Sequence, residues 1–142
     1  VSNRVGPVRE SAKAGGLAVA IVDALREKGG VWFGWSGEIS PEGTHANLKT
    51  EEAGRISMVT LDMDQADYDA YYDGFSNRTL WPIFHYRLDL AEFDREPERG
   101  YWNVNERFAA RLFPLLKDDD TIWVHDYHFL AMGSKLRSMG AR

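Results

Sequence analysis

Apolar positions along this chain alternate between two spacings, one helical and one of strands. In GGLAVAIVDALREKGG, residues 15–30, Leu17, Ile21, Ala24 and Leu25 recur at the helical period, and Gly29 and Gly30 supply the stop. VSNR at the start reads as the tail of a strand, and VWFGWSG (31–37) and ISMVTLDM (56–63) have strand composition. The polar, Gly/Pro-rich stretch 38–54 predicts a surface loop or irregular hairpin. DQADYDAYYDGF (64–75) predicts a helix with Ala66, Tyr68, Tyr71, Tyr72 and Phe75 on one side, capped by Asp62 or Asp64. SNRTLWPIFHY (76–86), broken by Pro82, predicts a loop with a short helical turn. GYWNVNERFAARLFPLLK (100–117) spaces Tyr101, Val104, Phe108, Leu112 and Leu115 as a helix, with Pro114 kinking it or marking its last turn. TIWVHDY (121–127) then reads as a strand and HFLAMGSKLRSMG (128–140) as a helix.

Strands alternating with helices predict an α/β layer fold with a mainly parallel sheet. No internal repeat or linker interrupts the pattern, so residues 1–142 read as one domain. The opening without Met and the close on a helix with no strand after it suggest a piece of a longer protein.

Composition narrows the functions. The chain is 44% hydrophobic and 27% charged, with a net charge of −5 and no basic stripe for a nucleic-acid backbone. It has no cysteine, which excludes disulfides and thiolate metal sites and mildly favours a cytoplasmic home. No apolar run reaches membrane-spanning length, and no signal peptide is visible. The 5 Trp, 6 Tyr and 7 Phe are enough to fill a core and to stack on a sugar ring as well.

In open parallel sheets ligands bind beyond the carboxyl ends of strands. His125, Asp126, Tyr127 and His128 fall at such an end if TIWV is a central strand. Asp126 can accept two or more hydroxyls, as a sugar would offer; otherwise it caps the next helix and the histidines pack. A metal site on His125 and His128 is the weaker reading, because the pair lacks a third ligand. Arg4, at the matching edge of the first strand, could hold a phosphate with its guanidinium, although a solvated loop is the commoner fate of one arginine. Gly15 and Gly16 open a helix whose free N–H groups suit phosphate, or simply form a tight turn. They are not GxGxxG, which argues against a nicotinamide enzyme. In the aromatic stretch 71–86, Tyr72 and Trp81 are the candidates for a ligand wall.

Taken together, VSNR, AGGLAVAIVDAL, WFGWSG, YYDGFSNRTLWPIFHY and HDYH, in this order, closely resemble the trehalose-6-phosphate synthase (UDP-forming) family. The resemblance runs nearly end to end. It implies a retaining glycosyltransferase of the GT-B type, in which two Rossmann-like domains face each other across a cleft, with this chain as the N-terminal, acceptor-binding one. It implies UDP-glucose and glucose 6-phosphate as substrates, no cofactor and no metal. By the same resemblance Arg4, Tyr72, Trp81 and Asp126 bind the acceptor, Gly15 and Gly16 lie beside the donor diphosphate, and the enzyme sits in the cytoplasm, often as a tetramer. The donor's cationic partners belong to the second domain, so this stretch alone should be inactive. The nearest competing readings are a glucosylglycerol-phosphate synthase and a non-catalytic sugar-phosphate-binding regulatory subunit.

Overall fold

Odd and even positions of the two longest strands face opposite layers, and this divides the core in two. The computed structural model describes residues 1–4, 16–41 and 48–141. Strands β2 (Gly30–Ser40) and β4 (Ile56–Asp64) pair in parallel from Gly30 opposite Ile56 to Ser40 opposite Asp64, with a register shift between Trp35 and Ile39. Trp32, Ile56 and Met58 point to one face, where Ile21 and Val22 of helix α1 (Gly16–Lys28) cover them. Phe33, Trp35, Val59, Leu61 and Met63 point to the other and meet the remaining helices. Both faces are therefore buried, as a parallel sheet requires. On α1 the buried face turns slightly from the expected one: Ala24 is exposed and Val22 takes its place.

Strand β1 (Ser2–Arg4) joins the free edge of β2 in parallel, with Arg4 opposite Trp35. The Trp32 indole N–H donates to Ser2 Oγ at 2.7 Å and ties the two strands together. Strand β3 (Lys49–Ala53) pairs antiparallel with β4 through a turn at Gly54, so the stretch expected as a loop or irregular hairpin supplies a hairpin arm. The order β1-β2-β4-β3 is the mainly parallel, Rossmann-like α/β sheet that the sequence predicts.

Three expectations need correction. The segment 121–125 is extended but forms no strand ladder among the described residues. The Val1 nitrogen donates to Trp123 O at 2.7 Å and His125 N–H donates to Val1 O at 2.9 Å, so it lies outside β1 rather than in the sheet centre. Trp123, 63% exposed, shows the reason: an edge segment has one face to bury, not two. The loop expected at 76–86 is helical as far as Phe84. After Asp64 caps the turn α2 (Gln65–Asp67), accepting from Asp67 N–H at 2.8 Å, a π-helical run covers Tyr68–Leu80 and passes into α3 (Trp81–Phe84). Pro82 is the second residue of α3, just past the junction with the π run. In the wider π turn the buried positions are Tyr71, Gly74, Ser76 and Thr79, and Ala66 is exposed instead. Helix α4 (Arg95–Leu112) begins before the expected start, at the Asp94 cap, and ends in a 3-10 turn, Phe113–Leu115, that exposes Leu115.

Helix α4 packs closely along the π run. A Cβ on Gly74 would stand 2.8 Å from Pro97 Cβ and 2.9 Å from the Asp69 carbonyl oxygen. Alanine normally favours a helix over glycine by about 1 kcal/mol. Gly74→Ala should nevertheless lower stability, by about 1–3 kcal/mol, through overpacking. Urea denaturation measures it, and a stabilised variant would show that the two helices can move apart freely. Helix α5 (Met132–Met139) closes the layer with Met132 and Leu136 buried. Among the described residues no helix is long and apolar enough to cross a membrane.

Candidate functional site

The buried face of α4 carries a polar residue, and from it the site is built. Asn105, fully buried, lies on the same stripe as Tyr101, Val104 and Phe108. Its amide donates to Tyr101 O at 3.0 Å and to His128 O at 3.1 Å. The Tyr101 hydroxyl donates to Tyr127 O at 2.8 Å and accepts from Leu130 N–H at 3.1 Å. Two side chains of α4 thus hold the backbone of the turn Tyr127–Phe129 at three points. Burial pushes the Tyr101 phenol up to about 12, so it stays a neutral donor.

This clamp presents Asp126 in a conformation that few residues other than glycine adopt, φ 70 and ψ 167. Such strain costs about 1–3 kcal/mol and persists where the surroundings over-determine it. One carboxylate oxygen accepts from Tyr127 N–H at 2.8 Å, which is the capping role anticipated as the alternative. The other lies 3.7 Å from His128 Nδ1, and the side chain is 46% exposed, so the same carboxylate also faces outward.

From its neighbours Tyr127 and His128 a run of ring contacts begins. Tyr127 and His128 stack at 4.1 Å between centroids, and His128 lies nearly parallel to Tyr72, 11° apart at 5.4 Å. Trp81, 47% exposed, meets Tyr127 at 5.5 Å, and the Tyr127 hydroxyl donates to Asn77 Oδ1 at 3.1 Å. Burial, aided by the Asp126 charge, pushes the Tyr127 phenol up to about 12. Burial lowers His128, with Asp126 pulling it back only in part, so the neutral ring is favoured.

The structure therefore brings Tyr72, Trp81 and Asp126 together through Tyr127 and His128. It also sets the carboxyl end of β1 beside the turn Tyr127–Phe129. Through Trp35, which packs on Tyr68 and Tyr72, the backbone of Arg4 is on the same rim. The Arg4 side chain and Gly15 lie outside the described residues; Gly16 is the first residue of α1. His125 is buried against Trp123 and takes no part in the aromatic wall. Among the described residues no three His, Asp or Glu side chains gather as a metal site. A separate hollow of about 450 Å³, lined by Phe113, Leu116, Lys117 and Ile122, lies at the other end of the strands.

Tyr127, His128, Asn105 and Tyr101 carry more of this site than the sequence reading assigned to them. Asn105 had a legible signal, being a polar residue on an apolar helical stripe. The chemistry offered is recognition rather than bond-breaking: a carboxylate accepting hydroxyls, beside aromatic faces suited to the C–H face of a ring.

A profile of glycosyltransferase family 20 matches residues 3–142. A trehalose-6-phosphate synthase of Klebsiella pneumoniae is 50% identical over 141 residues, which is 99% of this chain and 29% of that protein. The crystal structure of an alpha,alpha-trehalose-phosphate synthase (UDP-forming) from Burkholderia xenovorans, in complex with glucose-6-phosphate, aligns with a TM-score of 0.89 at 51% identity, covering 99% of this chain and 30% of its own. A structure of the Escherichia coli protein bound with UDP-2-fluoro glucose aligns with a TM-score of 0.87 at 48% identity, covering 98% of this chain and 29% of its own. The chain spans less than a third of the length of these relatives.

Proposed function

The chain belongs to glycosyltransferase family 20, and on that premise we propose that residues 1–142 are the acceptor-binding domain of a retaining GT-B glucosyltransferase. Its reaction takes UDP-glucose and glucose 6-phosphate to trehalose 6-phosphate and UDP, in the cytoplasm. The observation that carries this reading is Asp126, held in a strained backbone with its side chain 46% exposed, beside Tyr127 and His128, whose rings run on to Trp81 and Tyr72. The glucose-6-phosphate in the Burkholderia xenovorans structure supports it, at 51% identity.

Asp126 binds hydroxyls of the acceptor glucose, and Trp81 and Tyr72 wall its pocket. Arg4 takes the acceptor phosphate, so that binding energy far from the reacting hydroxyl fixes its orientation. Gly15 and Gly16, the latter the first residue of α1, offer N–H groups to the donor diphosphate. Transfer passes through an oxocarbenium-like state, and this half of the enzyme contributes positioning and electrostatics rather than a nucleophile. Cationic side chains of a second domain neutralise the departing diphosphate, so the scheme calls on no metal or cofactor.

The test is UDP release by the enzyme at the full length of its relatives, given UDP-glucose with glucose 6-phosphate or glycerol 3-phosphate. Turnover with the hexose phosphate is expected. Turnover with the glycerol phosphate instead would make it a glucosylglycerol-phosphate synthase, and binding without turnover a regulatory subunit. In the same enzyme Arg4→Ala should raise KM for glucose 6-phosphate about 10–100-fold, the worth of one charged hydrogen-bonding group, with KM for UDP-glucose nearly unchanged. An equal rise for both substrates would refute the phosphate role. Light scattering would check the tetramer that the resemblance implies.

A further inference from the structure

His128 holds the most unusual polar group of the described residues. The residue is 6% exposed, yet neither ring nitrogen has a hydrogen-bond partner among those residues. A buried donor or acceptor left unpaired costs about 1–3 kcal/mol, and such groups are rare in folded proteins. The ring stacks on Tyr127, with centroids 4.1 Å apart, and lies nearly parallel to Tyr72 at 5.4 Å, with its backbone oxygen fixed by Asn105. Among the described residues it pairs with Asp126, whose Oδ2 is 3.7 Å from Nδ1, beyond hydrogen-bond length.

We infer that His128 is a positioning residue: its Nδ1–H faces Asp126 Oδ2 already in the free protein, across 3.7 Å, closes to a hydrogen bond when sugar hydroxyls engage that carboxylate, and fixes the plane in which the carboxylate receives them. The inference rests on the reading of Asp126 as the hydroxyl-binding group. A small rotation of the carboxylate about Cβ–Cγ brings Oδ2 within reach, while Oδ1 keeps the Tyr127 N–H. The imidazole cannot turn to follow, because the two phenol rings confine it, so the carboxylate adopts the geometry the histidine dictates. Nδ1 must then carry the proton of the neutral ring, leaving Nε2 as acceptor. A histidine that only fills space between two tyrosines has no need of that tautomer.

Two substitutions separate the roles. His128→Phe keeps a flat ring between Tyr72 and Tyr127 and removes both nitrogens, whereas His128→Asn loses the ring but places an amide donor near the Nδ1 position. In the full-length enzyme His128→Phe should raise KM for glucose 6-phosphate at least about tenfold with KM for UDP-glucose within about twofold, and His128→Asn should recover to within about threefold of the parent. A phenylalanine variant with the parent's KM, or an asparagine variant no better than it, overturns the proposal. Nitrogen-15 NMR of labelled histidine at about pH 8 gives an arm that needs no substrate. The parent should show the Nδ1–H tautomer, with that preference lost in Asp126→Ala; an Nε2–H tautomer in the parent overturns the pairing. Should glucose 6-phosphate prove not to be a substrate, the functional reading falls, and the tautomer still decides whether His128 orients Asp126.

Discussion

Replacing Asp126 with glycine should leave the fold as stable as before, or more so, while it destroys sugar-phosphate binding. The residue sits at φ 70 and ψ 167, a region that glycine enters freely and other residues enter at a cost of about 1–3 kcal/mol. Against that gain stand the loss of a cap, a few tenths of a kcal/mol for glycine, and the extra freedom of the unfolded chain, about 0.5–1 kcal/mol. The balance runs from near zero to about 2 kcal/mol in favour of the variant. Asp126→Ala should instead lose about 1 kcal/mol, because it surrenders the cap and keeps the strain. Binding separates from stability in both. Each hydroxyl held by a charged acceptor is worth about 1.5–3 kcal/mol, so losing two weakens glucose 6-phosphate at least about a hundredfold in the full-length enzyme. Urea denaturation and calorimetric titration give the two numbers. A glycine variant that loses as much stability as alanine would mean that the backbone there is relaxed; undiminished binding by either would remove Asp126 from the site.

Asn105→Asp should cost about 3–5 kcal/mol at neutral pH, as an unpaired charge buried in the core does. The side chain is fully buried and donates to two carbonyl oxygens, of Tyr101 and His128. A carboxylate can donate to neither and turns its charge toward them. The variant can lessen the penalty only by binding a proton, so its carboxyl in the folded state titrates above the unfolded value of about 3.9. The folded state then holds a proton that the unfolded state gives up, so stability falls as pH rises from about 4 through the folded value. The deficit relative to the parent should therefore be small near pH 4 and largest at neutral pH. Chemical denaturation at several pH values checks this, and a deficit independent of pH would refute the buried-charge account. Within the folded fraction the clamp on the turn Tyr127–Phe129 is also loosened, so sugar-phosphate affinity should fall with stability.

Three residues of the candidate site were singled out from the sequence: Tyr72, Trp81 and Asp126, which the structure links through Tyr127 and His128. What connects them was not legible. Tyr127 and His128 link Asp126 to Trp81 and Tyr72 by ring stacking, and stacking between residues some fifty positions apart has no periodicity to betray it. Trp81 was expected on a loop because Pro82 follows it. The structure instead carries the helix through that proline, at the junction where the π run passes into α3. The run 121–125 has the composition of a central strand, yet it lies outside β1. Composition reports what a segment can bury, not which neighbours come to bury it.

By itself the sequence determined the alternation of strands and helices in outline, a mainly parallel sheet, and the family. These follow from local spacing: period-2 burial in β2 and β4, helical periods in α1 and α4, and short motifs read in order. Only the tertiary structure decided the π run, the edge position of the segment before Asp126, and the clamp by which Tyr101 and Asn105 force that residue to positive φ. Each of these is settled by contacts between distant parts of the chain, where a helix pressed against its neighbour or a carbonyl reached by a buried amide outweighs the local preference.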